Sequence, residues 1–280
     1  MIKCLISDVD GTLLLHGDFL TSTIETKTIE AVNTIVKQGV HFALASGRTH
    51  SNKPVFERQF GFPLDFIGSN GSSVIINSQL KVDETMPWDF YERLVNKVSQ
   101  VKVLSNIMFV DSDGHHVFEK RYGWDQLLFQ QMFDNKEIAH YFEGSLEQWK
   151  KKFPYSKRFN KAVLNVSNVQ DRDQIMSLLE DFIEEENVDM FYSGDIFIEI
   201  MPKAINKASG VASLCRYYGF RYDEVAVVGD SFNDVSMFTQ HFEHSFVMKD
   251  ADPQVKKFAK HEVSSVDEVA NYIIEYNLRK

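Results

Sequence analysis

The chain has 280 residues, of which 44% are hydrophobic and 25% charged, a composition typical of a globular protein with one large domain or two smaller ones. Its formal net charge of −10 argues against an extended surface for nucleic acid or anionic membranes. No stretch approaches the ~18 apolar residues of a membrane-spanning helix, and Lys3 and Asp8 interrupt any run that resembles a signal peptide. Two cysteines are too few for a disulfide framework. We therefore expect a cytoplasmic protein.

The first polar motif follows a buried strand at the start of the chain. The apolar run from Ile2 to Ile6 is typical of a strand covered on both faces, as in a parallel α/β sheet. It leads directly into Asp8-Val9-Asp10-Gly11-Thr12. Two carboxylates this close repel each other unless they share a cation, so the pattern predicts a bound Mg²⁺. An ordinary strand that ends in an Asp-Gly turn is the alternative.

A second buried strand follows one helix later. Apolar residues at helical spacing run from Ile24 to Ile35, Gly39 ends the helix, and the strand covers residues 40–45. Ser46-Gly47-Arg48 then lies at the carboxyl end of this strand, where a hydroxyl and backbone N–H groups could hold phosphate oxygens. A Ser N-cap before a glycine turn would account for the same residues.

The middle of the chain has a different pattern. Residues 65–69 and 73–76 are expected to form a hairpin around the tight turn Asn70-Gly71. From about residue 83, short strands mix with helices without regular alternation, which predicts an α+β insert with a largely antiparallel sheet. The expected strands are 103–110, 116–120, 162–166 and 190–193, and the expected helices are 88–101, 124–133 and 173–186. The basic stretch 150–161 is interpreted as a solvated face, with attraction of an anionic substrate as the alternative.

Near residue 196 the first pattern returns. A strand at 196–201 and a helix from Lys207 to Tyr218 precede the apolar strand Glu224–Val228, which runs into Gly229-Asp230-Ser231-Phe232-Asn233-Asp234. The carboxyl ends of parallel strands lie at one edge of a sheet. This edge would therefore collect carboxylates, a hydroxyl and an ammonium group. Those groups suit phosphoryl transfer, which depends on positioning and charge neutralisation.

Together these motifs resemble the haloacid dehalogenase superfamily. Asp8-Val9-Asp10-Gly11-Thr12, Ser46, Lys207 and the 229–234 segment are similar to its motifs I to IV, and Ser69-Asn70-Gly71, Glu199-Ile200-Met201-Pro202 and the position of the insert resemble its Cof-type sugar-phosphatase branch. The resemblance implies a Rossmann-like catalytic core formed by residues 1–82 and 196–280. It also implies an α+β cap domain, residues 83–195, inserted after the third core strand and concerned with substrate specificity.

The resemblance further implies a role for each motif residue. Asp8 would be the nucleophile that forms an aspartyl-phosphate, and Asp10 would protonate the leaving alkoxide and then deprotonate the attacking water. The implied ligands of Mg²⁺ are Asp8, the backbone carbonyl of Asp10, and Asp230. The implied phosphate contacts are Ser46, the backbones of Val9 and Gly47, Lys207 and Asn233. Asp234 would orient Lys207 or metal-bound water.

The expected function is a Mg²⁺-dependent phosphatase that acts on small phosphomonoesters such as sugar phosphates or phosphorylated cofactors. A hexose phosphomutase is one alternative, but its second phosphate would call for cap arginines, and the insert offers only Arg93, Arg121, Arg158 and Arg172. A non-catalytic sensor of a phosphorylated metabolite is another alternative, although every residue needed for turnover is present. The expected partner is a small phosphorylated metabolite, with no nucleic acid or membrane. The sequence predicts neither the natural substrate nor the oligomeric state.

Overall fold

The computed structural model describes residues 1–15, 23–111, 115–120, 140–152, 158–193, 196–239 and 242–280. The described chain divides into two compact units, one formed by Met1–Val82 with Asn206–Lys280 and the other by Asp83–Ile205. The helix expected at 124–133 lies outside the described residues. No helix in the described ranges combines the length and the apolar character needed to cross a bilayer.

Strands and helices alternate at both ends of the chain and are irregularly mixed in its middle. In chain order they are β1 (Cys4–Ser7), α1 (Thr26–Lys37), β2 (His41–Ala45), α2 (Lys53–Phe60), β3 (Asp65–Gly68), β4 (Ser73–Ile76), β5 (Gln79–Asp83), β6 (Met86–Pro87), α3 (Trp88–Lys97), β7 (Leu104–Asp111), β8 (His115–Lys120), β9 (His140–Glu143), α4 (Leu146–Lys152), β10 (Arg158–Val166), α5 (Val169–Glu185), β11 (Val188–Ser193), β12 (Phe197–Pro202), α6 (Lys207–Tyr218), β13 (Val225–Gly229), α7 (Val235–Thr239), β14 (His244–Met248), α8 (Pro253–Lys256), β15 (His261–Val263) and α9 (Val266–Leu278).

The three strands that carry the polar motifs are neighbours in the sheet of the first unit. The strand order is β15-β14-β13-β1-β2-β3-β4-β5, and β1 runs parallel to both β13 and β2. Ser7 is in register with Val228 on one side and with Leu44 on the other. The segments that follow these three strands therefore meet at one edge of the sheet. β3 and β4 form the predicted antiparallel hairpin, and the second unit follows β5 rather than the third strand.

Apolar side chains cover both faces of this sheet. Leu5 belongs to a core that includes residues of α1 and α9, such as Val32 and Ile273. Its neighbours Cys4 and Ile6 belong to a separate core with residues of α6. Successive side chains of a strand point to opposite faces, so a strand covered on both sides needs a continuous apolar run. This requirement explains the sequence of β1.

The second unit has a sheet of the order β11-β12-β10-β7-β8-β9, with β6 paired to β10. Its described pairs are antiparallel except β8 with β9. Aromatic and aliphatic side chains of α3 and α5, among them Tyr91 and Leu179, share a core with strand residues such as Phe109 and Ile198. The predicted fold class, a parallel α/β core with an inserted α+β unit, is confirmed.

The second boundary of the insert differs from the prediction. Strand β12 was expected to open the returning core at residue 196, but it pairs with β10 and β11, and the second unit extends to Ile205. Ile198 and Ile200 are in the core of this unit, whereas Glu199 between them is not part of it. This alternation is typical of a strand with one core face and one polar face, and it was a signal in the sequence against a central parallel strand.

The basic stretch 150–161 is also not a solvated face throughout. Lys161 is buried in β10, and its Nζ donates to Oε2 of Glu199 at 2.8 Å. The hydroxyl of Ser193 donates to the other oxygen of Glu199 at 2.6 Å. With side-chain exposures of only 7% for Lys161 and 6% for Glu199, this is a desolvated ion pair, and removing either partner would leave the other charge buried.

Candidate active site

Three carboxylates converge at the edge of the first unit's sheet. Asp8 follows β1, while Asp230 and Asp234 follow β13, and one oxygen of each lies within 4.8 Å of the others. Gly11, at φ +83°, allows this approach, because a Cβ at that position would lie 2.3 Å from Oδ2 of Asp230. Thr12 donates its hydroxyl to Oδ1 of Asp230 at 2.9 Å. The two loops therefore fit together only with a glycine at position 11.

Lys207 lies between two of these carboxylates. Its Nζ donates to Oδ1 of Asp8 at 2.5 Å and to Oδ1 of Asp234 at 2.6 Å, and the residue is 1% exposed. Lys207 is the first residue of α6, whose start is fixed by a reciprocal capping box between Asn206 and Ser209. The cap thus determines where the ammonium group enters the cluster.

Asp234 organises the loop that carries Asp230. Its Oδ2 accepts backbone N–H groups from Asp230 at 2.9 Å and Ser231 at 3.0 Å, while its Oδ1 accepts from Lys207. Both oxygens are therefore engaged by donors from the protein. Of the three carboxylates, Asp8 and Asp230 are the better candidates to ligate a cation.

The charges of the cluster are unbalanced. When ionised, the three carboxylates carry three negative charges and Lys207 offsets one of them, so a divalent cation would offset the remaining two and leave the site close to neutral. Burial and then the nearby Asp234 raise the pKa of Asp8 well above its ordinary value. The same two causes raise the pKa of Asp230 to about 6. Burial alone would lower the pKa of Lys207, but Asp234 and Asp8 outweigh it and raise that pKa.

The residues present fit a magnesium ion. Mg²⁺ prefers hard oxygen ligands, keeps several water ligands, and is commonly bound by one or two carboxylates together with phosphate oxygens. Asp8 and Asp230 supply two carboxylates at one place. Burial and then the negative charge of Asp234 raise the pKa of both carboxyl groups, and Lys207, which acts in the opposite direction, does not outweigh these causes.

Asp10 has a different environment from Asp8. Its carboxylate accepts from Nε of Arg48 at 3.1 Å and 2.9 Å and from Nη2 of Arg48 at 2.6 Å. It does not belong to the group of three carboxylates within 4.8 Å. Sequence reasoning missed this role of Arg48, although Ser46-Gly47-Arg48 placed the residue at the correct sheet edge. The neighbouring N–H groups of a guanidinium match the two oxygens of a carboxylate, so Arg48 holds the Asp10 side chain in one orientation.

The remaining predicted residues lie in the loops at the same edge. Ser46 is fully buried, and its Oγ accepts the backbone N–H of Arg48 at 3.1 Å. Val9 is buried, and its carbonyl accepts the N–H of Leu14 at 2.8 Å. Nδ2 of Asn233 donates to Oδ1 of Asn70 at 3.2 Å. Gly47 lies beside that same amide, since a Cβ built on Gly47 would be 3.4 Å from Oδ1 of Asn70.

Comparison with known proteins finds one matching family. A family model described as haloacid dehalogenase-like hydrolase matches residues 5–273. A 5-amino-6-(5-phospho-D-ribitylamino)uracil phosphatase of Bacillus subtilis (strain 168) is 22% identical over 280 residues, covering 95% of this chain and 94% of that protein.

Solved structures share the architecture. A haloacid dehalogenase-like hydrolase from Bacteroides thetaiotaomicron superposes with a TM-score of 0.79 at 22% identity, covering 98% of this chain and 100% of the other. A sugar phosphatase of haloacid dehalogenase subclass IIB superposes with a TM-score of 0.78 at 18% identity, covering 98% and 99%. At these identities the likeness shows a common fold.

Proposed function

This chain belongs to the haloacid dehalogenase-like hydrolases and is a phosphatase of that family, and from this premise we propose that it hydrolyses small phosphomonoesters through a phosphorylated Asp8 in a Mg²⁺-dependent reaction. The observation that carries the proposal is the buried Asp8 carboxylate, which lies beside Asp230 and accepts a hydrogen bond from Lys207. A carboxylate is an effective nucleophile toward an anionic phosphate only where neighbouring positive charge reduces their repulsion. Lys207 supplies one such charge.

The proposed metal ligands are Asp8, the backbone carbonyl of Asp10, and Asp230. When bound there, Mg²⁺ would neutralise charge between the nucleophile and the phosphoryl group and orient both. The proposed phosphate contacts are Ser46, the backbones of Val9 and Gly47, Lys207 and Asn233. Asp234 would act through Lys207 and through the backbone N–H groups of Asp230 and Ser231, as the hydrogen bonds that it accepts support.

The proposed reaction has two displacements. In the first, an oxygen of Asp8 bonds to phosphorus, the ester P–O bond breaks, and the leaving alkoxide takes a proton from Asp10. In the second, water attacks phosphorus and gives a proton to Asp10, the bond between Asp8 and phosphorus breaks, and inorganic phosphate leaves. Arg48 keeps the Asp10 carboxylate oriented for both proton transfers, since it contacts both oxygens.

Asp10→Asn is expected to lower kcat/KM for an alkyl phosphate by about 10²–10⁴-fold, the usual contribution of general acid–base catalysis. The loss for p-nitrophenyl phosphate should be smaller, because nitrophenolate leaves without a proton. kcat/KM is the parameter to compare because it reports the steps up to transfer of the phosphoryl group. Arg48→Lys keeps the positive charge but not the paired N–H groups of the guanidinium. We therefore expect an intermediate loss of kcat/KM, again larger for the alkyl phosphate than for p-nitrophenyl phosphate. Equal losses for both substrates would contradict the role of Asp10.

The substrate class is proposed from the relatives. One is named for a ribityl phosphate attached to a pyrimidine, and a structural neighbour is described as a sugar phosphatase. We propose phosphorylated sugars, sugar alcohols or cofactor precursors, and we assign their selection to the second unit. The phosphomutase alternative would need cap arginines for a second phosphate, and two of the four candidates form ion pairs, while Arg121 lies outside the described residues. Arg93 pairs with Glu186 and Asp89, and Arg172 pairs with Asp173.

The direct test is phosphate release from a panel of phosphorylated metabolites and from p-nitrophenyl phosphate. We expect release with Mg²⁺, loss of release with excess EDTA, and recovery when Mg²⁺ is restored. Conversion of a hexose 1-phosphate to its 6-phosphate with negligible release would select the mutase instead. Tight metabolite binding without turnover would select the sensor.

The buried thiols of Cys4 and Cys215 fit the reducing, cytoplasmic setting that we also propose.

Asp230→Asn is expected to stabilise the metal-free protein at pH 7. The pKa of Asp230 is raised to about 6 in the folded state, against ~3.9 in an unfolded chain. The folded state therefore binds more protons between about pH 4 and pH 6, and its stability falls as pH rises through that window. Asn cannot ionise, so we expect a thermal midpoint at least ~2 °C above wild type at pH 7 in EDTA. This advantage should disappear below about pH 4.

Adding Mg²⁺ should make the wild type more stable than Asp230→Asn, the reverse of the order of thermal midpoints expected in EDTA. The wild type gains stability by RT ln(1 + c/Kd), where c is the concentration of free Mg²⁺, whereas the variant has lost one carboxylate ligand, binds Mg²⁺ more weakly and should gain little. Thermal unfolding in EDTA and in Mg²⁺, at several pH values, measures both effects. An Asp230→Asn protein that is less stable than wild type in EDTA at pH 7 would contradict the charge imbalance of the cluster.

A further inference from the structure

The segment Ser69-Asn70-Gly71 has an unusual backbone. All three residues have positive φ, at +47°, +52° and +103°, and Ser69 and Asn70 are 1% exposed. For residues other than glycine this region is unfavourable, although Asn tolerates it better than most. A strained and buried turn persists only where its surroundings determine it, and such turns concentrate at functional sites.

Two neighbouring segments determine this turn. The backbone N–H of Asn70 donates to the carbonyl of Ser46 at 2.9 Å, and that of Ser69 donates to the carbonyl of Arg48 at 2.8 Å. On the other side, a Cβ at Gly71 would lie 2.2 Å from the carbonyl oxygen of Asn206, the residue before Lys207. The turn is thus fitted between the Ser46 loop and the start of helix α6.

The left-handed backbone directs the Asn70 side chain toward a proposed phosphate contact. Oδ1 of Asn70 accepts from Nδ2 of Asn233 at 3.2 Å, and the hydroxyl of Ser231 donates to Oδ1 of Asn233 at 2.6 Å. These two partners select one of the two possible orientations of the Asn233 amide, with oxygen toward Ser231 and nitrogen toward Asn70. An amide nitrogen has two N–H groups, so one can bind Asn70 while the second is donated to a ligand.

We propose that Asn70 is a positioning residue for phosphate binding. It holds the amide of Asn233 with its nitrogen toward the phosphate and lies against the backbone of Gly47, where a Cβ would be 3.4 Å from its Oδ1. One side chain therefore couples two segments that the proposed function assigns to the phosphate. The inference rests on that function, but it concerns a residue that is not among the proposed catalytic residues, metal ligands or phosphate contacts.

The test uses competitive inhibition by inorganic phosphate, with p-nitrophenyl phosphate as substrate. Asn70→Gly removes the amide while glycine accepts the same left-handed backbone. We expect the inhibition constant to rise about tenfold, the effect of losing one well-oriented hydrogen bond to an anion. Asn187→Gly is the matched control, because Asn187 also has φ +52° but is exposed in the second unit. Its inhibition constant should equal that of wild type.

A double-mutant cycle separates positioning from general loosening of the loop. Asn233→Ala should raise the inhibition constant by itself, and Asn70→Gly should then add less than about twofold, because its effect acts through Asn233. The proposal would be overturned if the increases in the inhibition constant from the two single variants multiply in the double variant, or if Asn70→Gly leaves the inhibition constant unchanged. If Asn70→Gly fails to fold, Ser231→Ala removes the other partner of the same amide and is also expected to weaken inhibition. A wild-type protein that releases no phosphate would refute the proposed function, whereas active wild type with unaffected variants would refute only this inference.

Discussion

Asp8→Asn is expected to abolish phosphate release, with a loss of at least about 10⁴-fold, since removal of a covalent nucleophile costs on the order of 10⁶-fold in a well-studied hydrolase. An amide has the shape of the carboxylate but cannot form the acyl phosphate. The variant should fold, because Lys207 keeps its hydrogen bond to Asp234 and because the pKa of Asp8 is raised by burial and by Asp234. Removing this carboxylate relieves repulsion in the metal-free protein.

Acid quenching of a reaction with ³²P-labelled substrate measures the intermediate directly. Wild type should retain label on the protein and Asp8→Asn should retain none. Asp8→Glu is the control, because it keeps the charge and displaces the nucleophilic oxygen by one methylene. It should lose most activity while still showing stabilisation by Mg²⁺. Label retained by Asp8→Asn at wild-type levels would place the nucleophile elsewhere.

Lys207→Met is expected to destabilise the first unit by about 3–5 kcal/mol, the usual cost of removing one partner of a buried ion pair. Lys207 is 1% exposed and is the ammonium donor to both Asp8 and Asp234, so the variant leaves two buried carboxylates without it. Phosphate release should also fall by about 10²–10³-fold, the typical effect of losing one donor to a charged transition state.

Lys161→Met is the matched control for this variant. Lys161 is also buried and paired with a carboxylate, Glu199, but in the other unit. In EDTA, denaturant unfolding should show a similar loss in the free energy of unfolding for Lys207→Met and for Lys161→Met. Saturating Mg²⁺ should restore part of the stability of Lys207→Met, because a dication near Asp8 and Asp230 offsets the missing ammonium, and it should leave the loss in Lys161→Met unchanged. A loss in Lys207→Met that is the same with and without Mg²⁺ would contradict the idea that the cation and Lys207 neutralise the same carboxylates, and no stabilisation of the wild type by Mg²⁺ would contradict the cation site itself.

Several features of the fold were predictable because they depend on local patterns. An apolar run such as Ile2–Ile6 is required wherever both faces of a strand are covered, and the same reasoning identified β2 and β13. The hairpin around Asn70-Gly71 was also predictable, since few residues tolerate its backbone. Strand β12 was assigned to the wrong unit, because a short apolar run does not specify which sheet it joins. Only the alternation of apolar and polar residues around Glu199 indicated that β12 belongs to the second unit.

The sequence by itself determined that polar residues follow three buried parallel strands, and therefore that Asp8, Ser46 and Asp230 lie at one sheet edge. The tertiary structure alone decided which polar groups meet there. Arg48 binds Asp10, Lys207 bridges Asp8 and Asp234, and Asn70 orients Asn233. The physical reason is that periodicity reports which face of an element is buried. The partner of a buried polar group depends instead on the distance and direction between segments far apart in the chain.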